Sequence, residues 1–224
     1  MPERPEIQIG EFRPASKAML DFPMSRYTGP RLRVMRALSV NLPGLSAKSI
    51  ERRPYPPGQH GHRHRRLSDY ALHLREKQKL RFHYGLTERQ LRAAVTAAMD
   101  SAGVTGKKLV ELLERRLDKL VFRAGLTRTI VAARQLVRHG HVRVNGQRVD
   151  IPSCRLRPGS VISLDERMRK SALVQDSLAN SAHQRPDWLQ LDATELTVRI
   201  TALPDAQAIP FPIDLRLVIE FYSH

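Results

Sequence analysis

The 224-residue chain has a single cysteine, Cys154, which excludes an internal disulfide and a four-cysteine zinc site. No stretch approaches the roughly 20 consecutive apolar residues that a membrane-spanning helix requires. Aromatic residues make up 5 % of the chain, with one tryptophan. That is too few for a reader of single strands built on stacked aromatic platforms. Acids are scarce where bases are dense: from Arg26 to Arg92, sixteen Lys and Arg face four Asp and Glu, a local net of +12 out of +16 for the whole chain. The sequence also lacks a glycine-rich phosphate loop, a metal-ligand set and a nucleophile–base constellation, so it reads as a non-enzyme with no cofactor.

What is present is positive charge of one sign in one segment. A solvated surface kept for solubility mixes both signs, whereas like charges this concentrated repel one another unless a polyanion lies against them. Nucleic acid is the expected partner. Arg far outnumbers Lys, and the planar guanidinium grips two phosphate oxygens or stacks on a base where an ammonium acts as a point charge. Structured RNA suits such a surface, because A-form helices are read through backbone and 2′-hydroxyls.

Residues 1–24 carry Glu3, Glu6, Glu11 and Asp21, are broken by prolines and lack an apolar core, which is neither a secretory signal nor an organelle transit peptide. They read as a flexible extension, and Met24 is a candidate translation start that an intact mass would decide. From Arg26 to Gly61, Pro30, Pro43, Pro54, Pro56 and Pro57 predict an arm without long helices. Its Arg26, Arg31, Arg33, Arg36, Arg52 and Arg53 are expected to face outward, and Tyr55 to be free to stack. In His60-Gly61-His62-Arg63-His64 a metal site is disfavoured, because Arg63, Arg65 and Arg66 would oppose a cation. The histidines, His60 among them, suit phosphate or ribose instead.

A helix is expected from Leu67 to about Tyr84 with Ser68 as cap, bringing Lys77 and Arg81 to the basic surface. A second starts at the capping box Thr87-x-x-Gln90, with Leu91, Val95 and Met99 on one face. Leu109, Leu112, Leu113, Leu117, Leu120 and Val121 form an apolar stripe at helical spacing, leaving Lys107, Lys108, Arg115, Arg116, Lys119 and Arg123 to the other faces. A third helix, capped by Thr127 or Thr129, turns Ile130, Val131, Ala133, Leu136 and Val137 inward, with Arg134 and Arg138 sharing an outer face. Asn145-Gly146 between alternating residues predicts a two-residue hairpin that sets Arg143 opposite Arg148. Like charges so placed make sense if they grip a phosphate. A strand over 156–164 with a turn at Pro158-Gly159, a short helix past Asp165 through Leu178, a loop holding Pro186 and Trp188, and a strand over 195–200 follow. Residues 215–222 fit a strand or a terminal helix.

The segment from Leu112 to Pro152, LLERRLDKLVFRAGLTRTIVAARQLVRHGHVRVNGQRVDIP, resembles a small RNA-binding module shared by ribosomal protein S4, some pseudouridine synthases, tyrosyl-tRNA synthetases and a heat-shock RNA-binding protein. The flanks, SRYTGPRLRVMRAL, RRPYPPGQHGHRHRRLSDYALHLREKQKLRFHYGL and the ending Phe221-Tyr222-Ser223, extend the resemblance over about 25–224 to the ribosomal protein S4 family, in its zinc-free branch. A synthase or synthetase host would need a catalytic or nucleotide-binding domain that the chain has no room for.

The resemblance implies an α+β fold: a mostly helical domain with an inserted helix-helix-hairpin module and a small antiparallel sheet. The implied division is 1–24 as extension, 25–107 as basic arm and helical domain completed by 214–224, and 108–213 as module. It implies a structural constituent of the small subunit that binds small-subunit ribosomal RNA directly, nucleates assembly and contributes to translational accuracy. The implied partners are the fifth small-subunit protein, other small-subunit proteins and, as a further candidate, messenger RNA where it enters the subunit. The ribosome would be cytoplasmic, with an organellar one as the alternative, and no membrane is involved. By position, Arg31, Arg33, Arg52, Arg53, Arg63, Arg65 and Arg66 would meet RNA backbone. Arg115, Arg116, Arg128, Arg134, Gln135, Arg138, His139, Asn145 and Arg148 would form the module's RNA face. A free-standing RNA chaperone is the competing reading, separable by sedimentation with small subunits.

Overall fold

The computed structural model describes residues 27–63, 66–179, 185–192, 194–205 and 208–223; Arg26, His64, Arg65 and the expected extension lie outside them. Helix α1 (Arg31–Leu38) fills the interval between Pro30 and Pro43, where no proline interrupts the hydrogen-bond ladder. The expected arm therefore contains one short helix. Helix α2 (Asp69–His83) begins where expected, the Ser68 hydroxyl accepting from the Ala71 N–H. Helix α3 (Glu88–Met99) carries the reciprocal Thr87–Gln90 capping box.

The apolar stripe after Leu109 is not one helix. It is divided into α4 (Thr105–Glu114) and α5 (Leu117–Arg123). At the break the backbone makes an isolated bridge to a distant segment instead: Leu117 N–H donates to Cys154 O at 2.8 Å and Leu156 N–H to Arg115 O at 3.0 Å. Helix α6 (Ile130–Arg138) starts at Thr129, whose hydroxyl accepts from Ala132 N–H. Strands β1 (Val142–Val144) and β2 (Gln147–Arg148) form the expected hairpin, with Arg143 opposite Arg148. Asn145 at φ 49° and Gly146 at φ 83° supply the two positive angles the turn demands.

Strand β3 (Val161–Leu164) is followed by two short helices, α7 (Glu166–Arg169) and α8 (Ala172–Ala179), where the pattern suggested one. Strand β4 (Leu189–Asp192) lies where only a loop was expected, and pairs with β5 (Thr197–Ile200). The sheet is antiparallel in the order β2-β1-β3-β5-β4. The ending is a helix, α9 (Leu215–Ser223). The α+β class expected from the resemblance is the class observed.

Two apolar cores result. One joins Val34, Leu42, Leu80, Leu91, Leu113 and their neighbours with Phe211 and Val218, so the last helix completes the first lobe. The other gathers Leu117, Phe122, Leu136, Val142, Ile162 and Val198 around one face of the sheet. The division falls between Leu113 and Leu117. Met99 and Val131, expected inside, are more than a third exposed, because Ala98 and Ala133 take the inward positions on their helices. The lobes touch at Gly44, at φ +79°, where the Phe122 ring occupies the place of a side chain: a Cβ there would lie 2.4 Å from the ring. Gly44 O also accepts from Ile130 N–H at 3.2 Å.

Candidate nucleic-acid interface

The basic residues of this chain fall into two sets with different surroundings. In the first, charge is folded into the seam between the lobes. The Asp118 carboxylate, 1 % exposed, accepts from Arg116 through Nε at 3.0 Å and Nη2 at 2.9 Å, and from Arg134 at 3.1 and 2.8 Å. Arg134 also donates to Gly85 O at 2.6 Å, tying α6 to the turn after α2. The Glu114 carboxylate is wholly buried and accepts from Arg123 Nε at 3.0 Å and the Tyr84 hydroxyl at 2.6 Å. Burial alone would raise the pKa of Glu114, but Lys119, Arg123 and the Tyr84 hydrogen bond outweigh it and hold the group below its ordinary value. Lys119 sits 4.0 Å from Glu114, donates to His83 Nε2 and faces the Tyr84 and Phe122 rings. Burial brings its pKa down to about 7 against the attraction of Glu114.

Four residues expected to face RNA belong to this kind of environment. Arg116 and Arg134 are held by Asp118. Arg115 donates to Leu156 O at 2.7 Å and pairs with Glu111. Lys77, 6 % exposed, bonds Glu88 at 3.0 Å and lies 4.2 Å from the centre of the Phe221 ring, which fastens α9. Lys119 and Arg123, placed on an outer face by the helical pattern, are also buried. Acids at positions 88, 111, 114 and 118 are folded against them, and the two that are buried, Glu114 and Asp118, demand charged partners.

In the second set the charges point to solvent. Arg33, Arg52, Arg53, Arg63, Arg66 and Arg138 are exposed and make no ion pair among the described residues. Tyr55, His60, His62, Arg63 and Arg75 line one open concavity with residues 54–61. Its floor is organised by stacking: the Tyr55 and His62 rings lie 3.8 Å apart at 35°, and the Arg36 guanidinium sits 5.0 Å from the Tyr55 ring while donating to Tyr55 O at 3.0 Å. Arg36 and Tyr55 thus shape this loop as well as facing outward. Arg75, overlooked in the sequence, joins the same wall and donates to Ser39 Oγ at 2.9 Å. Its contact with Ser39, 36 residues away, has no local signal in the sequence.

On the second lobe Arg128, Gln135 and His139 share a groove of about 440 Å³ with His141, and Arg128 makes an exposed ion pair with Asp176. Arg143 and Arg148 do lie opposite one another, each with a relieving partner: Arg143 is 3.5 Å from Asp165, and Arg148 donates to His139 O at 3.3 Å. The Arg148 guanidinium crosses Gly140, whose φ of +73° is one that residues with side chains rarely adopt. Asn145 uses its Oδ1 internally, accepting from Val161 N–H at 2.9 Å. Arg31 donates to Leu45 O at 3.4 Å, and Arg81 packs over Phe82.

The division into lobes matches two family models. Residues 26–114 match the ribosomal protein S4/S9 N-terminal domain, and residues 115–162 match the S4 domain. Small ribosomal subunit protein uS4B of Nitrosomonas europaea is 53 % identical over 203 residues, covering 90 % of this chain and 99 % of its own length. Small ribosomal subunit protein uS4 of Methylobacillus flagellatus is 51 % identical over 203 residues, with the same coverage of both. The chain belongs to the small ribosomal subunit protein uS4 family. A more distant relative, uS4c of Cyanophora paradoxa, is 45 % identical over 201 residues, covering 89 % of this chain and matched along its full length. In this uS4-family chain the junction of the two matched segments, 114/115, falls at the backbone break that separates the two cores.

Proposed function

We infer that the chain is a structural constituent of the small subunit of a cytoplasmic ribosome, where it binds small-subunit ribosomal RNA directly, and that it is not an enzyme. The observation that carries this reading is the contrast in ion pairing: Arg33, Arg52, Arg53, Arg63, Arg66 and Arg138 have no acidic partner among the described residues, while the seam arginines are all paired. Unpaired guanidinia on a loop and on a helix–hairpin module suit phosphates and 2′-hydroxyls of folded RNA. Arg143, Arg148, Gln135, His139, Arg128 and the loop holding His60 and the Tyr55–His62 stack complete the proposed face. Arg116, Arg134 and Arg115 act through the fold, fastening the junction of the two lobes that one RNA must meet together, and Lys77 fastens α9 within the first lobe.

Subunit assembly and decoding accuracy follow from that placement, as is typical of the family. Contact with the fifth small-subunit protein and with messenger RNA where it enters the subunit extend the same proposal. The test is filter binding of the full chain to small-subunit ribosomal RNA and to random duplex RNA. The expected result is tighter binding to the former, with log affinity falling against log salt by about 0.7–0.9 per neutralised phosphate. Equal affinity for both RNAs would contradict the reading, and sedimentation apart from small subunits would favour a free RNA chaperone.

A further inference from the structure

Between the lobes, beside the charged seam, opens a cavity of about 100 Å³. Its walls are apolar: Leu45, Phe82 and Leu86 come from the first lobe, Ile130 and Val131 from the start of α6 in the second. Three guanidinia, of Arg31, Arg81 and Arg134, also line it, and among the described residues no carboxylate does. Arg134 is fully engaged by Asp118 and Gly85. The other two have donors to spare. Arg31 makes one long bond, to Leu45 O, and Arg81 donates through Nη1 to Gln78 Oε1 at 3.3 Å while its Nε–H is enclosed without an acceptor among the described residues. The remaining Nη–H donors of these two guanidinia suit the oxygens of an anion. Tyr27, 45 % exposed at the mouth, meets the Phe82 ring edge-on at 5.3 Å, leaving an aromatic surface for a second ring.

This lining suits a flat ring attached to an anion. A closed apolar cavity of about 150 Å³ takes benzene; at about 100 Å³ this one takes part of a single six-membered ring, the rest standing in the open mouth, and a fused double ring protrudes further. We infer that the cavity receives one unstacked pyrimidine nucleotide of the RNA, its base between Phe82 and Val131 and its phosphate on Arg31 and Arg81. The inference rests on the RNA-binding reading above and deepens it. A nucleotide seated there touches both lobes, so the RNA itself locks the angle between them. The buried salt bridges of the seam hold the two walls at the spacing the base requires.

Short-wavelength ultraviolet irradiation of the wild-type chain on small-subunit ribosomal RNA, with sequencing of the adducts, is the direct test. The expected adduct joins one pyrimidine outside any duplex to Tyr27 or Phe82. Val131→Trp, at a half-open rim position, fills the cavity without altering charge. It is expected to abolish that adduct and weaken RNA binding about tenfold, the effect of removing one base–aromatic stack, with an unchanged urea midpoint. If V131W binds as wild type does, or the adducts fall elsewhere while the wild type still selects ribosomal RNA, the cavity inference is overturned and the proposed function stands. Adducts in assembled subunits that join the cavity to a neighbouring protein also overturn it. Loss of selectivity by the wild type removes both. Should V131W fail to fold, the wild-type adduct decides alone.

Discussion

Arg116 and Arg52 carry the same guanidinium into opposite physics. In the seam, Arg116 is 8 % exposed and meets Asp118 through two hydrogen bonds, and the pair is shielded from salt by the surrounding protein. On the arm, Arg52 is exposed and unpaired among the described residues, so its field reaches solvent and is screened within about 10 Å at ordinary ionic strength. Internal charge fixes geometry, and external charge seeks an anion. Composition alone makes no such distinction, since both residues count equally toward the net +16.

The comparison breaks most visibly at Asp118. Asp118→Ala strands two guanidinia in the seam and is expected to cost about 3–5 kcal/mol of stability, read as a lower urea midpoint. Arg134→Glu against Arg138→Glu is a sharper contrast, because the two positions share one helix. The first sets a new acid against Asp118 and removes a charged hydrogen-bond pair, an expected loss of about 1.5–3 kcal/mol. The second is expected to leave stability within about 0.5 kcal/mol while weakening RNA binding. Equal destabilisation by both would dissolve the distinction.

Asn145 straddles the two regions, exposed on the hairpin yet bonded to Val161 N–H. Asn145→Ala is expected to lower stability by about 1 kcal/mol, measurable by thermal unfolding. The remaining contrast is a slope. Lys119 has a pKa of about 7 when folded, below its free value, so between about pH 7 and the free-lysine range the unfolded chain binds more protons. Stability therefore gains a rising component as pH climbs through that window. Lys119→Met should flatten the rise in urea midpoint between about pH 7 and pH 9; an unaltered slope would place the titrating group elsewhere.

Local signals in the sequence were legible where the cause is local. The Ser68 cap, the Thr87–Gln90 box and the Asn145-Gly146 turn depend on neighbours within four residues, and all three are observed. The break after Glu114 was not legible, because its cause is the distant pairing with Cys154 and Leu156. Strand β4 was missed for a similar reason: Leu189–Asp192 is short, and its pairing with Thr197–Ile200 supplies what its own pattern lacks. The exposed arm was readable from charge and proline spacing. The burial of Arg116, Lys119 and Arg123 and the pairing of Arg134 were not, because a basic residue beside an apolar stripe looks the same whether its partner is a folded-in carboxylate or a phosphate outside.

The central claim is that the arm's charge is held for RNA and contributes little to the fold. It is tested by replacing Arg52, Arg53, Arg63 and Arg66 together with alanine and measuring affinity for small-subunit ribosomal RNA across a salt series, beside a urea unfolding curve. The expected result is a salt slope shallower by about 0.7–0.9 for every phosphate that the altered arm leaves unneutralised, with an unchanged urea midpoint. A slope equal to wild type, or a variant that no longer folds, would contradict the claim.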